Sequence, residues 1–381
     1  MQALRPLAEK VISYEDVMKY VEEYRDRGLA ETLVKRIRET TTAINRPIRL
    51  MEICGTHTMA ISKHGIRGLL GDNVELVSGP GCPVCVTSIE EVDRSVKLAR
   101  IPDVIVTTFG DMIRVPGTES SLQEEKAQGA DVRVVYSTFD ALKIARDNPD
   151  KKVTFLGIGF ETTAPTVAAA IKTASDNSVE NFFVLSAHKL LPPAMHALLQ
   201  SGDLHVDGFI CPGHVTTVIG TSPYEEIARM YNTPCVVVGF EPVDILQGIL
   251  MLAEQLRDGR AEVEIQYVRG VQASGNQQAL DMMRIVFEPC DAPWRGLGMI
   301  PASGLAIRSR YSNHDARRRF DLEVPPAQDP PGCRCAEILR GAVRPPDCKL
   351  FRTRCTPRTP VGPCMVSSEG TCSAYFKYHM G

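Results

Sequence analysis

An α/β fold with two similar Rossmann-like parallel domains is predicted for this 381-residue chain. Three observations carry that prediction. From Ile48 onward, short apolar runs alternate with amphipathic stretches in the strand–loop–helix rhythm of βαβ units. The rhythm runs for four units and then starts again for four more. The loops after the apolar runs are rich in Gly, Cys, His and Thr, and open α/β sheets place their sites at these carboxyl ends of strands.

Taken in order, Ser13 to Thr42 reads as two helices. Ser13-Tyr-Glu-Asp16 is a variant capping box, and Val17, Tyr20, Val21 and Tyr24 recur at helical spacing. Gly28 breaks that pattern before Ala30–Thr40 resumes it. Strands are read at Ile48–Ile53, Val74–Ser78, Val104–Thr108 and Val132–Tyr136, then at Val153–Ile158, Phe182–Ser186, Gly208–Cys211 and Cys235–Gly239. The expected organisation is N-terminal helices over 1–46, α/β domains over 47–150 and 151–265 facing across a cleft, and a loop-rich C-terminal domain over 266–381 packed with the N-terminal helices. Cys333 to Gly381 holds six of the twelve cysteines, and nine prolines between Pro325 and Pro363 argue against a regular element there.

Composition narrows the function. Hydrophobic residues make up 44% and charged residues 23%, ordinary values for a globular protein, and the net charge of −3 gives no field that points to nucleic acid. No apolar run is long enough for a membrane span, and Met1 to Ile12 lacks the apolar core of a signal peptide. A cytoplasmic protein, monomeric when free, is expected, and there cysteines more often bind metal or carry redox chemistry than form structural disulfides. The tail from Cys333 is locally basic, with eight Lys/Arg against three Asp/Glu. That charge suits an acidic partner, or a cationic shell around a thiolate cluster.

The post-strand loops hold the chemistry. Cys82-Pro-Val-Cys85 lies between a strand and an expected helix, where free N–H groups lower a thiol pKa; it reads as a redox-active pair or as half of a zinc site. Cys54-Gly-Thr-His-Thr58 sets a thiol beside His57, which is placed to deprotonate it or to share a metal; the plainer reading is a buried cysteine. Gly157-Ile-Gly-Phe-Glu-Thr-Thr163 lacks the third glycine and the lysine of a phosphate loop, so Glu161 reads as a base or hydrogen-bond acceptor and Thr162 and Thr163 as helix caps. His188-Lys189 and His214 fall at strand ends, while Cys211, Cys235 and Cys290 sit in or beside apolar runs and read as core thiols. In the tail, Cys333, Cys348, Cys355 and Cys372 make one four-thiolate set, with Cys335 and Cys364 left over. Its irregular spacing suits a [4Fe-4S] cluster or an all-thiolate zinc site. Arg308, Arg310, Arg317, Arg318 and Arg319 read as a solvated face, or as a screen for such a cluster.

Together, Cys54-Gly-Thr-His-Thr, Gly79-Pro-Gly-Cys-Pro-Val-Cys85, Gly159-Phe-Glu-Thr-Thr163, Pro212-Gly-His-Val and Val361-Gly-Pro-Cys-Met-Val-Ser-Ser-Glu-Gly-Thr-Cys372 closely resemble the HypD family of [NiFe]-hydrogenase maturation factors, in order from about residue 48 to 378. The resemblance implies a scaffold on which the Fe(CN)2CO group is assembled, with a small chaperone, HypC, and cyanide from the HypE–HypF pair. It implies Cys54 as an iron ligand, Cys82 and Cys85 as a redox dithiol, and Cys333, Cys348, Cys355 and Cys372 as ligands of a [4Fe-4S] cluster that supplies electrons. Cys335 and Cys364 stay open as substitutes. His57 and His214 are expected to orient or protonate ligands, and Glu161, Thr162 and Thr163 to hydrogen-bond cyanide or its donor. A freestanding protein-disulfide reductase and a zinc-stapled binding protein are the alternatives.

Overall fold

The computed structural model describes residues 23–202 and 205–379. The strands are β1 Ile48–Glu52, β2 Val74–Ser78, β3 Val104–Thr108, β4 Asp131–Val134, β5 Lys152–Gly157, β6 Phe182–Ser186, β7 Gly208–Pro212, β8 Cys235–Val238, β9 Val263–Ile265, β10 Phe287–Trp294 and β11 Gly298–Ile307. Nine of them form two parallel sheets, of order β2-β1-β7-β8-β9 and β4-β3-β5-β6, while β10 and β11 form an antiparallel hairpin. The α/β class with parallel sheets is as the sequence predicts. β3, β6 and β7 are buried along their whole length, which is why they read as unbroken apolar runs.

The strands do not divide at residue 150. That boundary falls between β4 and β5, which belong to one sheet. The chain leaves the five-stranded sheet after β2, builds the whole four-stranded sheet, and returns at β7 beside β1, with Leu50 opposite Gly208. The βα rhythm reports only that strands and helices alternate; partner choice lives in the packing of each strand's faces.

The described N-terminal segment also differs from expectation. The Ser13–Asp16 box and Val17, Tyr20 and Val21 lie outside the described residues. Glu23–Arg25 is a 3-10 turn, and one helix runs from Arg27 to Ile44 with Asp26 as its N-cap, accepting from the Leu29 N–H at 2.6 Å. Gly28 lies in its first turn and breaks nothing. This helix packs on Pro242–Arg257 of the five-stranded unit rather than on the tail. Leu33 and Ile37 join Leu246 and Ile249 in one core, with Arg36–Glu254 at 3.0 Å on the rim.

The segment from Gln277 onward is not one tail domain. Helix Gln277–Val286 packs on Ala164–Asp176 of the four-stranded unit, and the hairpin joins both units. Arg295 N–H donates to Val86 O at 2.9 Å on one side, and Leu190 N–H donates to Ser303 O at 2.8 Å on the other. The basic run after the hairpin pairs locally instead of facing the tail thiols: Arg308 with Glu288, Arg317 with Glu91 and Arg318 with Asp315, while Arg310 and Arg319 lie over aromatic rings. Among the described residues no helix is long and apolar enough to cross a membrane.

Candidate functional site

The carboxyl end of β1 leads directly into the first site loop. Cys54 is extended and caps helix Gly55–Lys63 with no cap bond from its own side chain. Its thiol is only 9% exposed. Burial pushes its pKa up to about 11, and the Glu369 carboxylate pushes the same way. The N–H groups of His57 and Thr56 favour the thiolate but do not outweigh burial. The thiol is therefore protonated at neutral pH, and the helix end alone does not activate it.

The CxxC loop presses against this one through backbone. Gly55 N–H donates to Gly81 O at 2.9 Å, and a Cβ on Gly81 would collide with the Cys54 nitrogen and the Ile53 carbonyl carbon. Cys82 and Cys85 are joined as a disulfide, Cα to Cα 5.2 Å, at the start of helix Pro83–Val86. Both are sealed, at 3% and 0% exposure. The hairpin and the tail cover this loop.

The histidines flank an aromatic ring. His57 is fully buried, and its Nε2 donates to the carbonyls of Gly239 at 2.9 Å and Val238 at 3.2 Å. Burial lowers its pKa to about 4, so it is neutral at pH 7 and ties the Cys54 helix to the end of β8. Phe240 stacks on His57 at 4.9 Å and on His214 at 4.0 Å. His214, in the first turn after β7, has an exposed surface; partial desolvation lowers its pKa and the Glu369 charge opposes that. It is the histidine free to handle protons in this group.

The tail closes the site. Thr56 Oγ1 donates to Glu369 Oε1 at 2.6 Å, and a Cβ on Gly55 would meet the Glu369 Cβ at 2.6 Å. Helix Thr371–Tyr378 packs on Gly55–Lys63, with Arg67 over the Tyr375 ring at 5.2 Å and paired with buried Glu52 at 2.8 Å. The turn Pro363–Met365 packs on the CxxC helix. Within that turn Cys364 lies 2.8 Å from Cys335, sulfur to sulfur, in the same apolar core as Cys82 and Cys85. Cys335 and Cys364, left over by spacing, are thus sulfur neighbours, and Cys333 hydrogen-bonds to Cys335 as well. Around them, Cys348, Cys355 and Cys372 are buried and Cys333 is half-buried. Burial, Cys335, Cys355, Cys333 and Cys348 all raise the Cys372 pKa, and Val361 N–H donates to Cys355 Sγ at 3.4 Å. Among the described residues no three Cys, His, Asp or Glu side chains converge on one point that a metal ion would fill. Bunched thiols of this kind are the donor type that iron–sulfur and zinc centres use.

The HypD family model, described as the hydrogenase formation hypA family, matches residues 28–379. The chain belongs to the HypD family. It is 48% identical over 369 residues to hydrogenase maturation factor HypD2 of Bradyrhizobium diazoefficiens, covering 95% of this chain and 97% of that one. It is 50% identical over 368 residues to the HypD of Azotobacter vinelandii, covering 95% and 97%, and 45% identical over 368 residues to that of Escherichia coli, covering 95% and 98%. Its role is in hydrogenase maturation, which implies contact with other maturation proteins.

The remaining motif residues of this HypD-family chain lie on the other sheet. Glu161, after β5, is buried, and its Oε1 accepts from Leu191 N–H at 2.9 Å while Oε2 has no partner. Burial raises its pKa from 4.5 to about 7. Thr162 is exposed; Thr163 caps the helix without a side-chain cap bond and donates to Phe160 O at 3.2 Å. Phe160 stacks on Trp294 at 6.0 Å and shares the CxxC core, so this loop reaches the disulfide through an aromatic pair. A raised carboxyl pKa favours folding at low pH. The contribution is full below about 4.5 and is lost as pH rises through about 7. Glu161→Gln keeps the acceptor for Leu191 and removes the charge. It is expected to flatten the pH dependence of the urea midpoint between pH 5 and 8, by up to about 3 kcal/mol. An unchanged slope would contradict a charged, unpartnered Glu161.

Three site residues have no role in the sequence reading. Glu369 stood inside a quoted motif, but a lone loop carboxylate carries no signature of its partner. Phe240 lies in the Gly239-Phe-Glu-Pro242 loop after β8 and Glu52 within β1, and neither position alone names its partner. Each is recognised only when its neighbour, Thr56, His57 or Arg67, is seen beside it.

Proposed function

We propose that this chain is the scaffold on which the Fe(CN)2CO group of [NiFe] hydrogenases is assembled, together with a HypC-type chaperone and cyanide delivered by a HypE–HypF pair. The observation that carries the reading is the convergence of Cys54, the Cys82–Cys85 disulfide and Glu369 on one strand end, under one tail.

The iron group is cargo, and Cys54 is its protein ligand. A thiol held near pKa 11 does not ligate until its proton leaves, so loading is coupled to proton release. Glu369 is the adjacent carboxylate and His214 the exposed titratable group, and together they offer that proton a way out. His57, neutral and bonded through Nε2, fixes the helix that presents Cys54. Reduction of the Cys82–Cys85 disulfide takes two electrons and two protons and yields two thiols. Oxidation of Cys335 and Cys364 to a disulfide releases the same number, and that pair lies against the CxxC helix. A [4Fe-4S] cluster held by Cys333, Cys348, Cys355 and Cys372 would supply electrons singly. A freestanding protein-disulfide reductase is disfavoured, because the sealed CxxC offers an incoming protein disulfide no access.

Anaerobic purification with the chaperone, metal analysis and infrared spectroscopy test this. About four irons per chain with visible absorbance are expected for the cluster, and metal-bound CN and CO stretches for the cargo. Cys372→Ser is expected to lose the visible absorbance and most of those irons. A colourless zinc protein would sink the reading.

A further inference from the structure

A cavity with both charged and apolar lining lies away from Cys54, between the end of β6 and the β10–β11 hairpin. It encloses about 340 Å³ and is lined by Lys189, Cys290, Arg94, Arg317 and Met299 among others. Lys189 is 2% exposed. Among the described residues its ammonium makes no hydrogen bond or ion pair, although a buried cation ordinarily requires one. Glu91, the carboxylate whose charge acts on Lys189, is already committed: it takes Arg94 at 2.9 Å and Arg317 at 2.7 Å. The other two acids of the lining are engaged as well, Asp315 capping the Arg317 N–H at 2.9 Å and Asp291 accepting from Ala302 N–H at 2.9 Å. Burial lowers the Lys189 pKa to about 8, which leaves the group still largely charged at neutral pH.

We propose that this cavity binds a small organic anion, whose carboxylate or phosphate takes the ammonium of Lys189 while its apolar part lies against Met299 and Leu305. The volume is at the lower end of ligand pockets, so the ligand is a metabolite-sized molecule and not a nucleotide. Arg94 and Arg317 line the same cavity and add positive potential beside Lys189. Lys189 follows β6 and Cys290 lies on β10, so occupancy would fasten the hairpin to the four-stranded sheet.

Cys290 is half-buried and lines the cavity, so its alkylation reports occupancy. The test is iodoacetamide labelling of the full chain, read at the Cys290 peptide by mass spectrometry, with inorganic phosphate and butyrate as separate probes. One probe is expected to slow Cys290 labelling saturably, about tenfold at ten times its Kd, and which one does so tells phosphate from carboxylate recognition. Lys189→Met is expected to abolish that protection. Met299→Trp, a change at an exposed wall residue, is expected to slow labelling without any probe and to leave the unfolding midpoint unchanged. Protection that never saturates with either probe, or that survives in Lys189→Met, overturns the proposal.

Discussion

Cys54→Ala is expected to reduce iron-cargo loading to background while the tail keeps its irons. The thiol is a free soft ligand at the junction of the two strand-end loops, and the acid beside it, Glu369, is bonded to Thr56. Losing one sulfur from a largely buried site costs folding about 1 kcal/mol, so the variant stays folded and a failure to load is chemical. The measurement is the infrared CN and CO band intensity of the chaperone complex, beside iron content and visible absorbance. Retained bands in this variant would falsify the ligand role. Parallel loss of the visible absorbance would show instead that Cys54 supports the tail.

Gly81→Ala is expected to be the most destabilising single methyl in the site. The new Cβ meets the Cys54 nitrogen and the Ile53 carbonyl carbon, backbone atoms that no rotamer change can move aside. Overpacking of this kind costs about 1–3 kcal/mol, and the strain falls on the contact that holds the two cysteine loops together. The Gly55 N–H to Gly81 O bond would lengthen or break. A lower urea midpoint is expected, together with faster reduction of the Cys82–Cys85 disulfide by dithiothreitol as the loop opens. A midpoint within about 0.5 kcal/mol of the parent, the size of an ordinary surface change, would mean that the two loops are not locked.

Much of the secondary structure was legible because parallel strands buried on both faces leave long apolar runs. β2, β3 and β6 lie where those runs predict them. β9 was missed because three half-buried residues make no run, and the hairpin because Pro289 and Pro293 argue against a strand. Sheet membership was not legible at all, since β1 and β7 are direct parallel neighbours although four strands of the other sheet lie between them in sequence. At the site, the cysteines and histidines were visible as residue types, whereas their environments were not. The sequence places His57 beside Cys54 and suggests a base; the fold turns its Nε2 to the β8 carbonyls instead. Spacing leaves Cys335 and Cys364 unassigned, and only the fold brings their sulfurs together.

The path of the chain also sets when the site can exist during synthesis. Thr56 and Glu369 touch, yet 313 positions separate them. A ribosome releases the Cys54 loop early, before its neighbours β7 and β8 and long before the tail that covers the CxxC. Until then the two thiol loops have no lid and no carboxylate. On the proposed function, assembly of the iron group would wait on translation of the tail, and a nascent chain stalled before Glu369 would present the cysteines without the segment that covers them.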